Sequence, residues 1–135
     1  MSRVALMSVL AVLIGCASGT RIYVKSTEAT NDGKTLYALV RRVDAKTMNS
    51  EGYQEISSKV FSEPADPSIV ASRPIFPGNP LTFTIDEGEA TDLVVYFLFT
   101  SPGLNWRLPL HAPLPAEVYI DVGQNQIERV QLRKR

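Results

Sequence analysis

Across 135 residues there is one cysteine, one histidine and one tryptophan. Cys16 alone admits no disulfide within the chain, and with His111 as the sole imidazole the soft ligands of a zinc site are lacking. Net charge is lacking as well. Lys and Arg number 14 and Asp and Glu number 14, so no overall field draws the chain onto nucleic acid or an anionic surface. No uncharged apolar run approaches the ~20 residues of a membrane-spanning helix. No G-x-x-x-x-G-K-[ST] phosphate loop occurs, and the glycines stand singly in turn-like surroundings. What is present, 44% hydrophobic and 21% charged residues, is the balance of a globular chain at a length that suits one domain.

The N-terminus reads as a targeting segment. Met1 to Arg3 is a short basic start, and residues 4–15 (VALMSVLAVLIG) are uncharged. As a helix this run reaches about 18 Å, short of the ~30 Å hydrocarbon core, so residues 1–15 are expected to be a signal peptide that is removed. Leu13-Ile14-Gly15-Cys16 resembles the lipobox of bacterial lipoproteins. That resemblance implies cleavage before Cys16, a diacylglycerol on its thiol and a fatty acyl chain such as palmitate on its freed amine. Residues 16–19 would then be a lipidated N-terminus and linker. Ala17, rather than Asp, after the Cys implies the outer membrane as the destination. The plainer alternative is a conventional signal peptide followed by a buried free Cys. Loss of residues 1–15 removes Arg3 and no acid, leaving 13 basic against 14 acidic side chains and no basic stripe for phosphates.

From Thr20 on, apolar residues recur at period two in short runs, the pattern of half-buried strands. Ile22 and Val24 alternate with Tyr23 and Lys25; Leu36, Ala38 and Val40 follow, with an Asn31-Asp32-Gly33 turn between the runs. Residues 44–67 break the alternation. Tyr53, Ile56, Val60 and Phe61 there are spaced to line one face of a short helix, ended by Pro64 and Pro67, which marks an insertion rather than a second domain. Strands resume over 69–76 and 81–85, separated by Pro77-Gly78. Residues 93–99 (LVVYFLF) are apolar on both faces and are expected to be a central strand covered on both sides. Short strands over 105–110, 118–122 and 127–132 complete the set. Turn signals about every ten residues, without a βαβ rhythm, point to an all-β fold: a two-sheet antiparallel sandwich over 20–135 with a small helical insertion. The terminal Arg133-Lys134-Arg135 reads as a frayed, solvated end.

Side chains for chemistry are few. A Ser-His-Asp arrangement would need His111 as its base, in a proline-flanked loop without a G-x-S-x-G elbow. Asp86, Glu87, Glu89 and Asp92 read as solvated turn acids. Alternation places Trp106 with Leu108 in the sandwich and leaves Arg107 to pair with an acid on the next strand. Neither a metal, a cofactor nor an enzymatic activity is expected.

The lipobox, the Asp32-Gly33 turn leading into 36–43, Pro77-Gly78 before 81–85, and the apolar 93–99 followed by Asn105-Trp106-Arg107 together resemble the TssJ family, the outer-membrane lipoproteins of the type VI secretion system. The resemblance implies a transthyretin-like sandwich with a small helical addition, and a structural adaptor rather than an enzyme. It also implies a periplasm-facing anchor in the outer membrane and, as partner, the periplasmic C-terminal domain of the inner-membrane subunit TssM. In that family the loop between the first two strands makes the contact. It maps onto residues 27–35, with Glu28, Thr30, Asn31, Asp32 and Lys34 as contact residues, and removing 28–34 is expected to abolish assembly while leaving the domain folded. Two rival readings are a periplasmic lipoprotein binding a sugar or peptide on Trp106 and Tyr119, and a small hydrolase using His111.

Overall fold

In the computed structural model, residues 19–86 and 91–135 are described. Cys16, the signal segment and the acids Glu87 and Glu89 lie outside the described residues.

The period-two runs fold as eight strands in two sheets. One sheet has the order β4-β1-β7-β8, from β4 (Leu81–Ile85), β1 (Thr20–Lys25), β7 (Glu117–Val122) and β8 (Ile127–Arg133). The other has the order β3-β2-β5-β6, from β3 (Ile69–Ile75), β2 (Leu36–Arg41), β5 (Leu93–Phe97) and β6 (Arg107–Leu110). All pairings are antiparallel except one: β1 runs parallel to β7, with Ile22 beside Val118 and Val24 beside Ile120. The wholly antiparallel arrangement expected from the turns is corrected at that pair, because β1 enters the sheet between strands that come much later in the chain. Alternation then does what period two requires. Ile22, Val24, Val95, Phe97, Val118 and Ile120 fill the space between the sheets.

β5 is buried along its whole length, as its two-sided apolar sequence requires. Its other face, Val94 and Tyr96, forms a second core with Leu39 and Ile56 beneath the insertion. That insertion is two short helices, α1 (Ala45–Ser50) and α2 (Tyr53–Ser58), rather than one, because Gly52 and an extended Glu51 separate them. Asp44 caps α1 by accepting the Thr47 N–H at 2.7 Å. Ile56 is fully buried and Tyr53 half-buried, but Phe61 lies past the helix end, 74% exposed, its ring edge-on to Tyr37. A polar chain fastens the insertion to the sheet. Arg41, 3% exposed, donates to both carboxylate oxygens of Glu51 at 3.0 and 3.3 Å and to Ser68 Oγ at 2.9 Å. Ser68 in turn donates to Asp66, which also accepts from Lys59 at 2.7 Å. Among the described residues, both cores are drawn from Ile22 and the residues that follow it.

Two local expectations are corrected. Trp106 packs against the sandwich core beside Leu108, as expected, but its ring also meets Tyr53 and Tyr96 of the second core, with centroids 4.9 and 5.7 Å away, and Arg107 donates to the Met48 carbonyl at 2.9 Å instead of pairing with a strand acid. Tyr96 and Arg107 are register partners, so both face the helices, and the α1 C-terminal carbonyls supply the acceptor an acid would have supplied. The C-terminal triplet is not frayed at its start: β8 includes Arg133, which lies 3.5 Å from Glu117, and Arg135 donates to the Gly19 carbonyl at 2.7 Å.

Candidate functional site

Strand directions sort the connections into two ends. Gly19, residues 111–116 and the C-terminus share one end. Residues 26–35, 76–80, 98–106 and 123–126 gather at the other, some six strand residues or about 20 Å away.

At that far end the segment expected to meet a partner is built around Thr30–Gly33, two successive tight turns rather than a regular helix, closed by Asp32 N–H to Ala29 O at 3.1 Å and Lys34 N–H to Asn31 O at 3.0 Å. Asn31, Asp32 and Gly33 take φ of 52°, 54° and 77° in succession, the left-handed region that Asn and Asp tolerate better than other side chains and glycine adopts freely. Asn31 is 4% exposed and joins three loops. Its N–H donates to Gln124 O at 2.8 Å and its Oδ1 accepts from Thr100 N at 2.8 Å. Its Nδ2 donates back to the Lys34 and Thr35 carbonyls at 3.0 and 3.4 Å. Thr30, fully buried, accepts from Thr27 N at 3.0 Å and donates to Val122 O at 3.3 Å.

Of the five residues expected to touch a partner, two therefore face inward. Thr30 and Asn31 hold the loop to β7, to the β7–β8 hairpin and to the β5–β6 connection, and present no side chain outward. The expectation that 28–34 can be deleted from an otherwise intact domain is corrected for the same reason. Glu28, Asp32 and Lys34 are exposed. Asp32 accepts from Gln124 Nε2 at 2.7 Å, and Glu28 lies along Gly78, where a side-chain carbon would come within 3.3 Å of its Cγ.

The same end carries a residue that sequence reasoning passed over. Leu104 is 99% exposed. Its neighbours are fixed on both sides: Gly103 N–H donates to Asn125 O at 2.8 Å, Asn105 Nδ2 donates to Ile127 O at 3.1 Å, and Asn105 O accepts from Ile127 N at 2.7 Å. The available signal was a large apolar residue directly after a Pro-Gly turn, outside any alternating run.

Of the two rival sites, the ligand-binding one comes apart. Tyr119 stacks on Tyr23, centroids 4.6 Å apart and planes within 3°, on the outer face of the β4-β1-β7-β8 sheet, whereas Trp106 sits with the other sheet, between the sandwich core and the insertion. The two aromatic rings proposed to hold a ligand together are thus on opposite sides of the sandwich. His111, at the Gly19 end, has its Nδ1 3.4 Å from Asp92. The Ala112 N–H, and then His111, keep the Asp92 carboxyl below its usual range. Among the described residues no group of three or more His, Cys, Asp or Glu is placed to hold a metal ion, and no helix is long and apolar enough to cross a membrane.

Comparison with known proteins bears on this geometry. A family model described as "IglE, N-terminal domain" matches residues 37–122. No curated protein sequence matches the chain. Among solved structures, a chain of a "Type VI membrane complex" superposes with a TM-score of 0.63 at 18% identity, over 84% of this chain and 96% of that one. A chain in "T6SS protein TssM C-terminal domain (869-1107) from EAEC" gives 0.59 at 17% identity, over 83% of this chain and 99% of that one. "T6SS lipoprotein TssJ1 from Pseudomonas aeruginosa" gives 0.59 at 13% identity, over 87% of this chain and 97% of that one. At these identities the likeness is one of fold: eight strands and a helical insertion arranged as in a type VI secretion lipoprotein, in agreement with the resemblance drawn from the sequence.

Proposed function

The chain belongs to the IglE N-terminal domain family, and on that premise we propose that it is an outer-membrane lipoprotein acting as a structural adaptor of a type VI secretion membrane complex. In this reading residues 1–15 are removed and Cys16 carries the acyl chains. The domain from residue 20 on faces the periplasm and binds the periplasmic C-terminal domain of a TssM-like inner-membrane protein.

The observation that carries the reading is the polarity of the domain. Gly19, three residues after Cys16, sits at one end of the sandwich, and the linked loops sit at the other. Three extended residues span about 10 Å, so an acylated Cys16 holds the Gly19 end close to the headgroups and turns the loops toward the periplasm. Each buried CH₂ contributes about 0.8 kcal/mol, and several chains hold a small domain where one would not. Glu28, Asp32 and Lys34 then meet the partner as charged side chains on a rigid platform, and the rigidity lowers the ordering cost of binding. The mechanism is mechanical: a membrane tether at one end, a protein grip at the other, and no chemical step between.

The reading is tested by co-purification from membranes. Wild-type chain should bring down the TssM-like subunit and yield an acylated Cys16 by mass spectrometry. The combined Glu28→Lys, Asp32→Asn and Lys34→Glu variant, which keeps at position 32 a side chain that tolerates positive φ, should stay acylated and folded but lose the partner. Undiminished recovery of the partner with that variant would overturn the assignment of the loop.

A further inference from the structure

We infer that Leu104 is the apolar anchor of the partner contact, entering a shallow apolar pocket on the same protein that the 27–34 loop meets; the inference rests on the adaptor reading and extends its surface to a second loop.

Leu104 is 99% exposed, so its side chain adds almost nothing to the burial that stabilises the described domain. A single exposed leucine on a mobile segment carries no meaning. This one is held: the residue before it and the residue after it each hydrogen-bond to the β7–β8 hairpin or to the first residue of β8. The backbone is therefore fixed at 103 and 105, and the side chain between them is presented outward. Thr100, at the start of the same connection, is bonded to Asn31 Oδ1, so Leu104 moves as one body with Glu28, Asp32 and Lys34. The result is the layout of a small protein interface, with a pre-ordered apolar residue surrounded by polar and charged side chains that exclude water from the rim.

The surroundings define the partner's chemistry. Gln124, Asn125 and Gln126 flank Leu104, all exposed and uncharged, whereas the charges lie on the 28–34 side. The partner surface is thus an apolar pocket with hydrogen-bonding walls next to a patch of mixed charge. A lipid surface does not fit, because this end lies opposite Gly19.

The test uses the chain from residue 16 onward with Cys16→Ser, and as probe the immobilised periplasmic C-terminal domain of a TssM-like protein from the same organism. Leu104→Asp should weaken binding about tenfold or more, chiefly through faster dissociation, and Leu104→Ala by a smaller factor in the same direction. Thermal midpoints should be unchanged. Leu132→Asp, an exposed leucine at the Gly19 end, should leave affinity at the wild-type value. Wild-type affinity in both Leu104 variants, with binding lost in the Glu28→Lys, Asp32→Asn and Lys34→Glu variant, overturns the anchor and leaves the adaptor reading standing. No binding by the wild-type chain removes both. Loss of self-association in Leu104→Asp, by sedimentation, with unchanged partner affinity assigns the residue to a second copy of this chain and overturns the inference.

Discussion

Thr100 and Asn31, 69 positions apart, are joined by a 2.8 Å hydrogen bond from the Thr100 N–H to Asn31 Oδ1. Through that bond the first-to-second-strand loop and the β5–β6 connection become one structure, and the Asn31 backbone N–H donates to the hairpin carbonyl of Gln124 as well.

Asn31→Ala is expected to destabilise the domain by about 2–4 kcal/mol, since it removes several buried hydrogen bonds and puts a Cβ without local hydrogen bonding at positive φ. Asn31→Gly relieves the backbone but not the lost bonds, so its deficit should be smaller. Denaturant melts of the two variants beside wild type check the order.

Glu28→Lys and Lys34→Glu, both at exposed positions, should change thermal stability by less than about 0.5 kcal/mol while altering the association rate and salt dependence of partner binding. Titrations at low and high ionic strength read the difference.

The Arg41–Glu51 pair, with side chains 4% and 13% exposed, fixes the insertion to β2. Glu51→Ala leaves the guanidinium buried without its carboxylate and should cost about 3–5 kcal/mol. Trp106 packs against Tyr53 of α2, so its fluorescence should report early loosening of the helices in that variant.

Lys59, then the Ser68 hydroxyl and N–H, hold the Asp66 carboxyl far below the usual carboxylate range. A carboxyl depressed in the folded state stabilises at pH above its unfolded value, near 3.9, and the contribution is lost as pH falls through that value toward the folded one. The thermal midpoint should therefore fall as pH drops below about 4, and Asp66→Asn should lower stability at neutral pH while flattening that acid limb. Melting curves between pH 2 and 7 decide it.

The strands were legible because alternation and turn residues agree: Ile22 and Val24, Val118 and Ile120 each name their buried face, and LVVYFLF names a strand covered twice. The parallel β1–β7 pair was not legible, since period two carries no strand direction and the partners lie about a hundred positions apart. The second contact of Trp106, with the insertion, was not legible for a related reason. Alternation assigns a face only inside a strand, and Trp106 precedes β6. In the loop, composition pointed to the right segment but not to which side chains face out. Thr30 and Asn31 are polar for internal reasons, to satisfy backbone groups that three connections leave open. Leu104 escaped because a solitary leucine outside a periodic run gives no pattern to detect.

Strand β1 starts beside Gly19, ends at the loop cluster, and lies between β4 and β7 rather than at an edge. A pull between those two ends runs along β1, so its ladders to both neighbours are loaded in shear and their hydrogen bonds resist together. Peeling, the mode in which bonds break in succession, is left to edge strands such as β8, which lie off that line of force.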